Sequence, residues 1–236
     1  MFFDEYPKFY DTSETASSAQ RLNLRHQAII EGNRDLLQGA RVLDLASHDG
    51  RWSFAALKAG AAHVTGVEAR EALVDNANKT FAEYGVPTGR YAFVNSDMFE
   101  FLRRDVCDID VVLCLGFVYH TLRYGELFGG IAGAGPRYCI LDSRVIAHKR
   151  PFIRLKADRT DVQSHAAEDV LSHDDRALVG CPSVSALRLM LDVYGMDVEE
   201  QYDWPALLRR QSGRLGWVKD YRTGRRVTLR CRVRRP

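Results

Sequence analysis

The chain has 236 residues, 46% of them hydrophobic, enough to build one sizeable α/β domain with a real core. Its five cysteines, Cys107, Cys114, Cys139, Cys181 and Cys231, are odd in number and contain no C-x-x-C pair, which argues against a disulfide framework or a zinc knuckle. The net charge of +2 conceals an asymmetry, because eleven basic residues from Arg209 onward face the single Asp220 and leave the rest of the chain acidic.

In chain order, the opening MFFDEYPKFYDTSE carries acids where a signal peptide has lysines. No apolar run reaches the roughly 18 residues of a membrane span. A reduced, cytoplasmic protein is therefore expected. Residues 15–37 have helical periodicity, with Leu22, His26, Ile29 and Ile30 on one side, so residues 1–38 read as a helical cap. Then strand and helix take turns. ARVLDLA, AHVTGVEA, RYAFVNSD, DIDVVLCLGFVYH and PRYCILDSRV read as strands, with helices at GRWSFAALKAG, REALVDNANKTFAEYG and TLRYGELFGGIAG between them. Such alternation implies parallel strands joined by crossover helices.

Residues 148–180 break the rhythm and read as a polar insertion, a loop or lid beyond the fifth strand. A helix follows at SVSALRLMLDVYG and a strand near MDVEEQYDW. GWVKDY and RVTLRCRV then read as a terminal hairpin through RTGR. In the latter, Val227, Leu229, Cys231 and Val233 share one face, and Thr228, Arg230, Arg232 and Arg234 the other. The expected fold is a single α/β domain over 1–236. It is a doubly wound, Rossmann-like, mostly parallel seven-stranded sheet with a C-terminal antiparallel hairpin and the N-terminal cap.

In such sheets, ligands bind beyond the carboxyl ends of the strands. Four of the first five strands end in an acid: Asp44, Glu68, Asp97 and Asp142; the fourth ends at Leu115 and Gly116. Any one could simply cap the next helix, but together they line one rim. Glu68 stands where an acid accepts from both ribose hydroxyls. Asp97, followed by Met98 and Phe99, suits an adenine amino group flanked by apolar side chains. A dinucleotide needs G-x-G-x-x-G at the first turn, and here Ala46 and His48 replace glycines. An anionic Asp44 instead suits a cofactor bearing an ammonium and a sulfonium.

These residues resemble the class I S-adenosylmethionine-dependent methyltransferases over nearly the whole chain. The family's D/E-x-G-x-G-x-G motif corresponds to Asp44, Leu45, Ala46, Ser47, His48, Asp49 and Gly50, of which the first acid and the last glycine match. The resemblance implies a cofactor site formed by Asp44, Ala46, Ser47, His48, Gly50, Trp52, Glu68, Asp97, Met98, Leu115 and Gly116. RVLDLASHDGRWSFAALKAGAAHVTGVEAR, LCLGFVYHTLRYGELF and CPSVSALRLML are similar to actinobacterial small-molecule O-methyltransferases, among them those acting on sugars in mycobacterial methylmannose polysaccharide synthesis. The YH and PS pairs also resemble carboxymethyl-transferring enzymes of tRNA.

For the chemistry, methyl transfer to a hydroxyl needs alignment and a base. His120, after the fourth strand, is the first candidate. Asp142 could orient a base, act as one or bind a cation, and Arg144 lies two residues on, either beside it in function or paired with it as a salt bridge. His165, Glu168, Asp169, His173, Asp174 and Asp175 in the insertion offer, with Asp142, a candidate Mg²⁺ site. Arg25 and His26 either close over the ligand or serve packing and solvent contact. The expected partner is a small-molecule acceptor, with a homodimer left open and no membrane contact. RNA binding through the basic tail and a silent cofactor-binding protein are the rivals.

Overall fold

The computed structural model describes residues 1–12, 19–104, 106, 108–162, 165–166, 170–211 and 218–234. The first half runs α1 (Lys8–Asp11), α2 (Ala19–Ile29), α3 (Arg34–Leu37), β1 (Arg41–Leu45), α4 (Arg51–Lys58), β2 (His63–Glu68), α5 (Glu71–Glu83), β3 (Tyr91–Asn95), α6 (Met98–Leu102) and β4 (Val111–Leu115). The second half runs α7 (Tyr124–Gly133), β5 (Tyr138–Arg144), β6 (Ile153–Arg159), β7 (Arg176–Pro182), α8 (Val184–Val193), β8 (Met196–Gln201), α9 (Trp204–Arg209), α10 (Lys219–Arg222) and β9 (Arg226–Val233).

Seven strands form one sheet in the order β3-β2-β1-β4-β5-β9-β8. β1 to β5 pair in parallel, and β9 runs antiparallel to both β5 and β8. The expected Rossmann-like architecture is therefore the observed one. Strand order reverses between β1 and β4, and in open sheets of this kind such a switch point is where ligands bind, beyond the carboxyl ends of the strands.

Strand periodicity divides the core into two layers. Leu43, Leu45, Val112 and Cys114 face α6, α7 and α8, where Phe99, Leu127 and Leu187 fill the first layer. Val42, Val111 and Leu113 face the other side, against Phe54 of α4, Phe81 of α5 and Phe3 and Phe9 of the N-terminal segment. Val227, Leu229, Cys231 and Val233 all enter the first layer, as their alternation implies. Cys114, Cys139 and Cys231 are buried free thiols.

The cap is shorter and more broken than a single helix over 15–37. It consists of α2, a turn at Glu31–Asn33 and α3, while residues 13–18 lie outside the described residues. Arg21 fastens α2 to Asp220 through two hydrogen bonds of 2.7 and 2.8 Å. His26 is buried and stacks on Phe2 at 4.0 Å, so packing is its role.

Two expectations are corrected. Residues 148–180 hold more than a loop: β6 and β7 form a separate antiparallel two-stranded sheet. Tyr124 Oη donates to the Gly180 carbonyl at 2.6 Å and so seats β7 against the residues after β4. The partner of β9 is β8 and not GWVKDY, whose described part turns helical in α10. There Tyr221 stacks on Trp204 at 3.6 Å and Asp220 binds Arg21, contacts that outweigh strand propensity. Gly216 and Trp217 lie outside the described residues. No described helix is long and apolar enough to cross a membrane.

Candidate active site

The turn after β1 has a distinctive backbone. Ala46, His48 and Gly50 have φ of 52°, 54° and 75°, so the left-handed region recurs at alternate residues. Non-glycine residues there cost about 1–3 kcal/mol each and persist only when their surroundings hold them. Here Ser47 N–H donates to the Val67 carbonyl at 3.0 Å and His48 N–H to Glu68 Oε2 at 3.0 Å. Arg51 donates through Nε to Asp49 Oδ1 at 2.6 Å and lies 2.8 Å from His48 Nδ1 through Nη2. Thr12 Oγ1 adds a bond to Asp49 Oδ2 at 2.7 Å, which ties the N-terminal segment to the loop. The guanidinium of Arg51 helps hold the Asp49 carboxyl well below the usual carboxylate range, against the opposing effect of burial.

Gly50 has a second constraint. A Cβ there would stand 2.6 Å from Phe93 Cζ and 3.0 Å from Phe81 Cε2. Gly50→Ala should therefore destabilise the fold by about 2 kcal/mol or more, through φ strain and overpacking together. Urea denaturation of the two proteins checks this, and a difference within error would show that the loop relaxes freely.

Asp44 is buried and accepts from Ser53 Oγ at 2.7 Å. Burial pushes its carboxyl up to about 7, so a cationic ligand group beside it would draw off its proton. Glu68 is also buried, accepting from His48 N–H and, at 3.1 Å, from Arg70 N–H. Asp97 caps α6 by accepting from Phe99 N–H and Glu100 N–H, both through Oδ1. Met98 is buried in the first core layer. Ser47 Oγ and His48 Nε2 are buried without a hydrogen-bond partner, in the loop beside Glu68. Trp52 departs from its expected place on the cofactor: it is buried edge-on to Phe3, with Arg25 4.9 Å from its ring centroid. It belongs to the packing of the cap.

Leu115 ends β4 in the second layer, and Gly116 follows with φ of 92°. A Cβ on Gly116 would lie 3.2 Å from Arg226 Nη2 and 3.6 Å from Tyr119 Oη, so its absence leaves room between the strand end and these two groups.

Asp142 is the anionic hub of a buried network. Its Oδ1 accepts from Arg226 Nε at 2.7 Å and Arg25 Nη2 at 3.1 Å, and its Oδ2 from Thr228 Oγ1 at 2.7 Å and Tyr221 Oη at 2.9 Å. Arg226 and Arg25 hold its carboxyl down at about 2 despite burial. With both oxygens engaged, Asp142 is corrected from base or cation ligand to a structural anchor. Arg25 is likewise bound into the network and not solvated. Arg144 does not pair with Asp142; its guanidinium lies 5.2 Å from the Tyr119 ring centroid.

His120 sits in a short turn, Val118–His120, facing the β6–β7 sheet. Its Nδ1 lies 3.5 Å from Asp158 Oδ2 and has no closer partner. Desolvation lowers its pKa to about 4, Asp158 opposes the shift, and the charges of Arg144 and Arg226 add to it. The imidazole is therefore neutral near pH 7 and can accept a proton. His165 Nδ1 lies 3.2 Å from the other oxygen of Asp158.

Among the described residues no set of three or more His, Cys, Asp or Glu side chains is arranged to hold a metal ion. His173 and Asp174 stand exposed, and Glu168 and Asp169 lie outside the described residues. The Mg²⁺ expectation thus gains no support from the described donors.

Sequence reasoning missed Arg226, Thr228, Tyr221, Tyr119 and Asp158. Thr228 was legible only as part of the polar face of a terminal strand, and at the start of that strand Thr228 and Arg226 turn out to be buried against Asp142, while Arg232 further along the same face is exposed. Asp158 carried a signal in the alternation of IRLKADR, which places Arg154, Lys156 and Asp158 on one face of β6.

Residues 42–131 match a sequence family described as a methyltransferase domain. A search of curated proteins finds no match. Among solved structures the chain is similar to the [4+2]-cyclase SpnF, with TM-score 0.63, 16% identity, and coverage of 95% of this chain and 86% of that one. It is also similar to the N-terminal domain of EvdMO1 with SAH bound, at TM-score 0.60 and 15% identity, covering 89% and 81% of the two chains. A third is an S-adenosylmethionine-dependent methyltransferase from Mesorhizobium loti, at TM-score 0.59 and 13% identity, covering 92% and 99%. At these identities the shared property is the fold.

Proposed function

We propose that this chain uses S-adenosylmethionine to methylate a hydroxyl of a small acceptor, with sugars as the first class to test; the methyltransferase-domain match over residues 42–131 and the strand order support the reading. One observation carries the reading. The three positions at which the methyltransferase motif has glycine, 46, 48 and 50, are the three left-handed residues of the loop after β1. The backbone thus follows a glycine-loop path even where the side chains are Ala and His.

The donor set fits that cofactor. Glu68 is the acid for the ribose hydroxyls, Asp97 keeps Oδ2 for an adenine amino group, and buried, unpartnered Ser47 Oγ and His48 Nε2 await polar groups. Buried Asp44 suits the amino group of the methionine end. When bound, S-adenosylmethionine supplies a sulfonium methyl that an oxygen nucleophile displaces in line. His120, with Nδ1 3.5 Å from Asp158 Oδ2, would take the acceptor's hydroxyl proton at Nε2.

Calorimetric titration with S-adenosylhomocysteine is the test. The protein should bind it, and Glu68→Ala should weaken binding by about 1–3 kcal/mol, the cost of losing hydrogen bonds to a charged acceptor. Unchanged affinity would remove Glu68 from the ribose. Of the eleven basic residues of the tail, Arg226, Arg230, Arg232 and Arg234 have acidic partners within the fold, which leaves less of its charge for RNA.

A further inference from the structure

Resting on the methyltransferase reading above, we infer that the acceptor carries an oxyanion, a carboxylate or a phosphate, held by Arg144 and Arg154 beside His120.

The first support is a pair of like charges. Arg144 on β5 and Arg226 on β9 are direct partners in the antiparallel register, a placement that is unfavourable for two cations. Their guanidinium carbons lie 5.2 and 5.4 Å from the centroid of the same ring, that of Tyr119. Asp142 compensates Arg226 at 2.7 Å. Arg144 has no acidic partner among the described residues.

A third cation closes the group. Arg154 on β6 is the register partner of Cys181 on β7, and the charges of Arg144, Arg154 and Arg226 all bear on the half-buried Cys181 thiol. Arg154 is exposed and, like Arg144, has no acidic partner among the described residues. The next two residues on its face of β6, Lys156 and Asp158, pair with each other at 2.9 Å, and Asp158 also faces His120 and His165, so this acid is already engaged. The β6–β7 sheet therefore completes a basic wall whose members are spaced on two separate sheets. Planar guanidinium forks match carboxylate and phosphate oxygens, and two such forks on one group fix its orientation as well as its charge. An anion there would relieve the repulsion between Arg144 and Arg226 and leave an adjoining hydroxyl near His120.

The test is calorimetry on the protein saturated with S-adenosylhomocysteine. Glucuronate and glucose 6-phosphate are titrated against glucose, and 4-hydroxybenzoate against 4-hydroxybenzyl alcohol. At least one anion should bind about tenfold or more tightly than its neutral counterpart, and Arg144→Ala and Arg154→Ala should each remove most of that preference. Glucuronate against glucose 6-phosphate separates carboxylate from phosphate. Both variants should keep their S-adenosylhomocysteine affinity, which also reports that they are folded. If S-adenosylhomocysteine binds but anions gain nothing over neutral compounds, or keep their gain in both variants, the oxyanion assignment is overturned and the methyltransferase reading stands. If S-adenosylhomocysteine itself fails to bind, the methyltransferase reading falls, and the inference with it.

Discussion

Asp142→Ala should lower stability by about 3–5 kcal/mol, because it strands the buried Arg226 guanidinium without its counter-charge. For a chain of this length that is a fall in melting temperature of roughly 10 °C. Thr228 Oγ1 and Tyr221 Oη lose their acceptor in the same change. Asp142→Asn keeps the shape and loses the charge, so it should recover only part of the loss. Asp35→Ala is the control: Asp35 pairs with Arg230 from an exposed position, and such pairs contribute about 0–1 kcal/mol. The effect also has a pH signature. The folded-state pKa of Asp142 is held near 2, below its ordinary value of 3.8, so its stabilisation is fully present above that ordinary value and is lost as pH falls through about 2. Denaturant midpoints at pH 7 and pH 3 for wild type and Asp142→Asn read both terms, and equal midpoints at pH 7 would show that the network relaxes without its acid.

His120→Ala should cut turnover by about 10²-fold or more while leaving S-adenosylhomocysteine binding nearly intact, the pattern of a lost general base. The imidazole is neutral down to about pH 4 in the unliganded protein, so the wild-type rate should not fall on the acid side until well below pH 6. Asp158→Asn should have a smaller effect on turnover, since Asp158 acts on His120 only through its charge, 3.5 Å from Nδ1. Labelled-methyl transfer measured across pH for the three proteins checks this. Full activity of His120→Ala would move the proton to another acceptor, with His165 the next histidine facing Asp158.

The sheet was readable because buried parallel strands announce themselves as apolar runs, and Asp44, Glu68, Asp97 and Asp142 then fall on one rim by topology alone. What each acid does was not readable. Asp97 spends one oxygen on its own helix, and Asp142 is saturated by residues 79 to 117 positions away in sequence, so its fate was set by tertiary contacts that no local pattern encodes. The β6–β7 pair escaped because its buried face mixes small apolar residues, Ala177 and Val179, with Lys156 and Asp158, while Leu155 and Leu178 stand exposed on the other, so the pattern of hydrophobic and polar residues does not follow burial. The loop at 46 and 48 shows the converse. Its sequence departs from the glycine pattern, yet hydrogen bonds to β2 hold Ala46 and His48 in the left-handed backbone that glycine favours.

The Asp142 network also bears on the order in which the molecule can be completed during synthesis. The chain emerges N-terminal end first, and β1 to β5 can assemble their parallel ladder before anything beyond residue 144 leaves the ribosome. At that stage Asp142 has only Arg25 from the cap, since Tyr221, Arg226 and Thr228 have yet to appear. The edge of β5 is equally unpaired until β9 arrives. A nascent chain halted after β5 would therefore keep its central acid hydrated and its sheet edge open, and insertion of β9 is the event that locks both.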